Sequence, residues 1–297
     1  MTTTASTKDK TMDTSRTRDA DDQGASPRPM VTVVTPVFNG ERCLQRCIAS
    51  VAAQDYPNIE HVIVDGCSKD GTRAVFERAA AGRENLHFFS EPDAGVYDAM
   101  SKGVRMARGE YIHILNADDR YAANNVLSTT IANMERNRLD LCHARARQVT
   151  GDNETVCEFG RDVDFETLLK KMRVAHPTVV VRRSVYERFG TFSIGFRIAA
   201  DHEFLLRVWN RISVGFIPDL HVLMEIGGVS TQNANVRSAY HESMAAAVIH
   251  GRNPFAAALR CSYEIFKHRI IRSRGFQIHD TKTDHRPLLV PVGEPLR

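Results

Sequence analysis

The chain has 297 residues, 42% hydrophobic and 25% charged, an ordinary globular composition with enough apolar material for one large domain and an appendage. Its net charge of +3 is too small to make nucleic acid the main partner. No apolar run reaches the length of a bilayer span and no apolar segment follows the N-terminus, so neither a membrane-spanning helix nor a secretory signal is expected. The six cysteines, Cys43, Cys47, Cys67, Cys142, Cys157 and Cys261, lack the paired spacing of a zinc site and read as reduced thiols of a cytoplasmic protein.

Residues 1–29 hold almost nothing apolar to bury and read as a disordered tail. Order is expected from Met30-Val31-Thr32-Val33-Val34-Thr35-Pro36, a β-branched run that suits a buried strand. Leu44, Cys47, Ile48 and Val51 then fall on one helical face. A second strand spans 59–64 and ends at Asp65. Ser68 and Asp70 are placed to cap the next helix, which runs through Val75 and Phe76. Strands at 86–89 and 111–115 flank a helix at 96–107. This alternation predicts βαβ crossovers and a mainly parallel α/β sheet flanked by helices. Further on, the pattern predicts a helix at 125–138, strands at 139–149 and 176–181, and a helix at 201–209. A closing pair of short strands follows at 213–217 and 220–226. A domain over 30–230 is thus expected, then a helical appendage over 231–276 and a flexible tail over 277–297. Gly227-Gly228 is expected to make a tight turn between domain and appendage.

In an open α/β sheet, ligands bind beyond the carboxyl ends of the strands. The polar residues fall at those ends: Asn39 after the first strand, Asp65 at the second, Glu91-Pro92-Asp93 after the third, and Asn116-Ala117-Asp118-Asp119 after the fourth. Adjacent carboxylates repel unless a cation neutralises them. Mg²⁺ or Mn²⁺ suits one or two carboxylates together with phosphate oxygens, and would clamp a diphosphate. An Asp-rich turn that merely caps the following helix is the alternative on these residues alone.

Thr35-Pro36-Val37-Phe38-Asn39-Gly40, Val64-Asp65-Gly66-Cys67-Ser68-Lys69-Asp70-Gly71-Thr72 and Gly109-Glu110-Tyr111-Ile112-His113-Ile114-Leu115-Asn116-Ala117-Asp118-Asp119 occur in this order. Together they resemble glycosyltransferase family 2, whose members have the GT-A fold. The segment Asp93-Ala94-Gly95-Val96-Tyr97-Asp98-Ala99-Met100-Ser101-Lys102-Gly103 is similar to a bacterial subset that makes exopolysaccharides such as colanic acid or glycosylates cell-envelope glycolipids. The resemblance implies an inverting glycosyltransferase that uses a nucleotide-sugar donor, a divalent cation (Mn²⁺ or Mg²⁺) and a glycan or lipid-linked acceptor. It implies that Pro36, Val37 and Asn39 line the nucleotide pocket, with Glu41 at its edge and Asp65 on the base or ribose. Asn116 and Asp118 occupy the outer positions of the Asp-x-Asp signature, with Asp118 as metal ligand. Asp201 matches the family's catalytic acidic residue at the start of a helix. Three positions depart from the family pattern: Asn116 and Gly66 where relatives carry Asp, and Ala200 where many carry Glu.

Inversion needs a base on the acceptor side, away from the metal, and a carboxylate such as Asp201 can take that proton; a simple helix cap is the other reading of this residue. Asp93 and His176 are candidates for donor contact. Asp98 reads equally as a helix-surface residue, and Lys102 reads as a residue of a solvated helix face, with a place near phosphate as the alternative. No Gly-rich dinucleotide loop follows the first strand, which argues against an oxidoreductase. A catalytically silent nucleotide-sugar or glycan-binding relative remains the alternative function. Arg260, Lys267, Arg269, Arg272 and Arg274 lie among Leu259, Ile265, Phe266, Ile270 and Ile271. That segment reads either as a helix packed on the domain or on a second copy in a homodimer, or as a peripheral contact with the inner face of the cell membrane.

Overall fold

The first apolar run, Val31–Val37 (β1), is buried at every position, which a strand achieves only when both faces of its sheet are covered. In the computed structural model, which describes residues 28–226, 236–273, 276–279 and 288–291, helices cover each face. β1 lies between Ile59–Asp65 (β2) and Tyr111–Ile114 (β4), and Leu86–Ser90 (β3) lies beside β2, all in parallel. Leu44–Ala52 (α1), Thr72–Ala80 (α2) and Val96–Met106 (α3) make the connections, since parallel strands cannot be joined by a tight hairpin. Val31 and Val33 pack with Cys47 and Val51 of α1, whereas Val34 packs with Ala99 and Val104 of α3. That is the two-residue period of a strand seen on its two faces. Gly103 lets α3 approach β1, because a Cβ there would stand 2.1 Å from Val34 Cγ1.

Beyond β4 the sheet changes character. Asp119–Tyr121 (β5), Leu141–Val149 (β6), Thr155–Phe159 (β7), Val180–Arg182 (β8) and Val214–Glu225 (β9) complete nine strands. Their order is β3-β2-β1-β4-β8-β6-β9-β5, with β7 beside β6. β8 is antiparallel to both β4 and β6, β7 to β6, and β5 to β9, while β6 and β9 run parallel. The expected parallel sheet is therefore the half built by the early crossovers, and a mixed extension follows it. Val126–Asn137 (α4), Phe165–Lys170 (α5), Arg183–Phe189 (α6) and Ala200–Val208 (α7) pack around this extension.

Two expected elements take other forms. The stretch 176–181 begins as a 3₁₀ turn, His176–Thr178, and only β8 joins the sheet. Pro177 has no N–H for a ladder, and Thr178 Oγ1 turns back to donate to Ala175 O (2.8 Å) while accepting from Ala144 N (2.9 Å). The expected pair of short strands is one strand, β9, that passes straight through Pro218. Phe216 pairs with His143 and Leu220 with Arg145, so residues 217–219 bulge opposite Ala144. A bulge is where a sheet tolerates proline.

Val236–Ile249 (α8) and Pro254–Ser273 (α9) form the expected helical appendage. Within the stretch expected to be flexible, Phe276–His279 (β10) and Leu288–Pro291 (β11) pair antiparallel. The N-terminal tail up to residue 27 and the Gly227-Gly228 turn lie outside the described residues.

Candidate active site

The loops after β1 and β2 are stitched to each other. Asn39, in the left-handed region at φ 52°, donates its backbone N–H to Ser68 Oγ (2.7 Å) and accepts from Lys69 N at Oδ1 (2.9 Å). Glu41 N donates to Asp70 Oδ2 (3.0 Å), and Gly71 N donates to Glu41 Oε2 (3.1 Å). Asn39 and Glu41, expected at the nucleotide pocket, therefore hold the loops after β1 and β2 together. Pro36 and Val37 remain in the buried end of β1. Asp70 accepts from Thr72 N at 3.0 Å, the first residue of α2, although the N-cap position itself is Gly71, and Ser68 turns to Asp65 instead of the helix. The buried Asp65 carboxylate accepts from Ser68 N (3.1 Å to Oδ2), Ser68 Oγ and Ser90 Oγ (2.6 Å). Hydroxyl donors thus hold a carboxylate at the end of β2.

Asp93 enters this rim from the β3–α3 loop. Its Oδ1 accepts from Gly95 N (2.9 Å), and its Oδ2 lies where a side chain at 66 would begin, 2.4 Å from a Cβ built on Gly66. The space that a second Asp after Asp65 would need is filled by a carboxylate from the next strand. Asp98 closes the start of α3 by accepting from Ala94 N (3.0 Å). Lys102 is tied to Pro92 O (2.6 Å), Glu91 (3.1 Å) and Asp98 (3.4 Å), so it fastens α3 to its own entry loop.

At the end of β4, Asn116 Nδ2 donates to Asp119 Oδ2 (3.0 Å), while Asn116 Oδ1 is buried without a hydrogen-bond partner. Burial, and then the charge of Asp118, raise the Asp119 pKa well above the usual carboxylate range. Asp118 is raised by burial and by the Glu225 carboxylate at the end of β9. Glu225 is itself paired with Arg46 of α1. Cys43, at the entrance to α1, is pushed up to about 11, mainly by burial and then by Asp118 and Glu225, so it stays a thiol. An orphaned amide oxygen beside two carboxylates raised in this way is a hard-oxygen set short of positive charge, and it fits a divalent cation. Among the described residues no three acidic, His or Cys side chains form a closed cage. Mg²⁺ or Mn²⁺ needs none, because phosphate and water complete its shell.

Asp201 belongs to a second centre. It is the second residue of α7 and is buried. Tyr97 on α3 brings its hydroxyl to 3.0 Å from Asp201 Oδ1 and 2.8 Å from Ile198 O. His202 N donates to the same Oδ1 at 2.9 Å. The N-cap position is Ala199. No side chain caps the helix there, and the backbone N–H groups of Ile198 and Ala199, just before it, donate to Glu242 of α8 (2.7 and 3.0 Å). Burial, followed by the Asp201 charge, raises the Tyr97 pKa well above its usual value, which keeps the phenol protonated as a donor. Phe192 touches both the Tyr97 ring (5.6 Å between centroids) and the buried His176 ring (5.7 Å). His176 and Asp201, far apart in sequence, thus share one aromatic cluster. Ala200, one of the positions that depart from the family pattern, is completely buried.

The sequence reading gave no role to Tyr97, Glu225 or Glu242. Tyr97 lay inside a quoted motif, but its partner is 104 residues away, and nothing local announces such a pairing.

This layered α/β fold, with acidic strand ends on one rim, is of the GT-A type. The family model "Glycosyl transferase family 2" matches residues 32–190. A PGL/p-HBAD biosynthesis glycosyltransferase of Mycobacterium tuberculosis is 30% identical over 210 residues, 68% of this chain and 79% of that protein. Staphylococcus aureus TarS 1-349 in complex with UDP-GlcNAc superposes with a TM-score of 0.62 at 17% identity, covering 83% of this chain and 74% of that one. A mannosyltransferase from Pyrobaculum calidifontis, in complex with GDP-Man and Mn²⁺, gives a TM-score of 0.58 at 20% identity, covering 82% and 71%. The chain belongs to glycosyl transferase family 2 and is a glycosyltransferase of the GT-A fold.

Proposed function

We propose that the enzyme transfers a sugar, with inversion, from a nucleoside-diphosphate donor to an acceptor hydroxyl in exopolysaccharide or cell-envelope glycan synthesis, with a lipid-linked glycan as acceptor. The observation that carries this reading is the unpartnered Asn116 Oδ1 beside Asp118 and Asp119 at the end of β4. Support for the donor class comes from the UDP-GlcNAc and GDP-Man held by the two structural neighbours. Support for the setting comes from the mycobacterial relative.

Asp118 and Asn116 would hold a divalent cation, which when bound neutralises a departing diphosphate. Asp65 and Asp93, on the rim formed by β2 and β3, would accept hydrogen bonds from the base or ribose, with Pro36, Val37, Asn39 and Glu41 forming the wall. Asp201 would take the proton of the acceptor hydroxyl as it attacks the anomeric carbon from the face opposite the diphosphate. Tyr97 fixes the rotation of that carboxylate by hydrogen bonding, and His176 would line the sugar side of the same cluster.

The test is a screen of sugar nucleotides with Mn²⁺ or Mg²⁺, run on the wild type, Asp118→Ala and Asp201→Asn. Metal-dependent release of nucleoside diphosphate from one donor, lost in both variants, is the expected result. Donor binding without transfer or hydrolysis over a wide acceptor panel would instead establish a catalytically silent binding protein.

A further inference from the structure

No helix among the described residues is long and apolar enough to cross a membrane, yet α9 carries an apolar surface in an unusual place. Eight large hydrophobic side chains are exposed among the described residues, and five of them, Ile249, Phe255, Leu259, Tyr263 and Phe266, lie on α8 and α9. Phe255, Leu259, Tyr263 and Phe266 are spaced i, i+4, i+8, i+11, which places them along one face of a helix. They are 88%, 73%, 60% and 62% exposed. The face turned to the protein is made of Ala257, Cys261 and Glu264, all buried. A helix packed only to complete the domain would show the reverse arrangement, with its large apolar residues inside.

The charges around the stripe point to its occupant. α9 carries Arg260, Lys267 and Arg269 among its described side chains against one acid, Glu264, and Glu264 is buried and paired with Arg260 at 3.1 Å. A second copy of the chain would bring the same cations and no exposed acid from this helix. An anionic lipid surface supplies both the apolar layer and the countercharge. We propose that α9 lies in the interfacial plane of an anionic membrane, with the Phe255–Leu259–Tyr263–Phe266 stripe among the acyl chains and Lys267 and Arg269 at the headgroups.

The hairpin of α8 and α9 is joined firmly to the helix that bears Asp201. Glu242 of α8 accepts the N–H groups of Ile198 and Ala199, and His250 Nε2 stands 3.1 Å from Glu203 Oε1 on α7. Arg252 reaches Lys170 O at 3.2 Å. A membrane bound by α9 therefore sits at a fixed orientation to α7. The membrane contact does not depend on the catalytic reading, since binding can be measured without turnover.

The experiment is vesicle flotation of the full chain with phosphatidylcholine alone and with phosphatidylcholine containing about a third phosphatidylglycerol, in about 0.1 M and about 0.5 M NaCl. Leu259→Ser/Phe266→Ser tests the stripe and Lys267→Glu/Arg269→Glu tests the rim, each checked for an unchanged circular dichroism melt. The wild type should float with the anionic vesicles, more weakly at high salt. Each double variant should lose about tenfold or more in partitioning. Failure of the folded wild type to bind anionic vesicles at low salt would overturn the proposal, as would equal binding by the stripe variant. A wild-type dimer in sedimentation that the stripe variant converts to monomer, with no vesicle binding, would assign the surface to a second copy instead.

Discussion

At the end of β4, Asp118 and Asp119 sit with their pKa values raised by burial and neighbouring negative charge, and Asn116 Oδ1 beside them has no donor. At the start of α7, Asp201 is also buried, yet its Oδ1 meets the Tyr97 hydroxyl and the His202 N–H. The first centre is short of positive charge and is suited to receive it from a ligand. The second has donors built in and is suited to hold one shape while a proton moves. Two carboxylate sites in one fold are thus separated by what surrounds them rather than by residue type.

The largest effects should come from removing charge at each centre. Asp201→Asn should lower transfer by about 10²–10⁴-fold while leaving Mn²⁺-dependent nucleoside-diphosphate binding intact by calorimetry. Asp118→Asn should lose both. Equal loss of nucleotide binding in the two variants would erase the division between a charge-receiving centre and a proton-handling one.

Tyr97→Phe sharpens the same contrast. It removes one hydroxyl from a buried pair and should lower kcat by about 10- to 100-fold, with the donor KM unchanged, because a charged hydrogen bond of this kind is worth about 1.5–3 kcal/mol. A donor KM that rises in step with the fall in kcat would mean that the hydroxyl acts on the nucleotide side or on packing. Full activity would show that Asp201 needs no help in holding its orientation.

The parallel half of the fold was legible because its signals are local. Burial on both faces makes strands β1, β2 and β4 rich in β-branched and other apolar residues, with few polar residues among them, and each polar strand end is marked by Asp or Asn. The mixed half was less legible. Pro218 looked like a break between two strands, but a bulge against Ala144 lets β9 run on. His176 looked like a strand start, but Thr178 bends the chain into a turn through bonds to residues 144 and 175. The pairing of Asp201 with Tyr97 joins α3 to α7, and the occupation of the space at Gly66 by Asp93 joins β3 to β2. Relations of this sort are fixed by tertiary packing, which no spacing rule in one sequence encodes.

Gly66 offers a smaller test on the donor side. A methyl group there would meet Asp93 Oδ2 at 2.4 Å, so Gly66→Ala must push the Asp93 carboxylate aside. If Asp93 reads the donor, KM for the sugar nucleotide should rise several-fold, by about 1 kcal/mol of lost binding, with kcat little changed. Asp93→Asn should give a similar rise. An unchanged KM in both variants would remove Asp93 from the donor site and leave it as the anchor of α3.

A change of pH, which alters no residue, asks whether the two halves are separable at all. Burial holds His61 and His113 in the parallel half, and His143 and His221 in the mixed half, as neutral rings. It lowers the pKa of His61 to about 3 and the pKa of each of the others to about 4, from an ordinary value of 6.5. The unfolded chain takes up these protons near 6.5 and the folded chain does not. Stability is therefore fully present above that pH and is lost as pH falls from 6.5 towards 4. Each ring costs about 2 kcal/mol by about pH 5, and the burden is shared by both halves of one continuous sheet. Trp209, the single tryptophan, lies tilted against His143 with ring centroids 5.6 Å apart and reports on the mixed half, whereas far-ultraviolet circular dichroism reports on the whole. The two acid-unfolding curves should coincide. A Trp209 transition that precedes the loss of circular dichroism would show that the mixed half opens by itself. The proton-handling centre would then rest on a less stable part of the fold than the charge-receiving one.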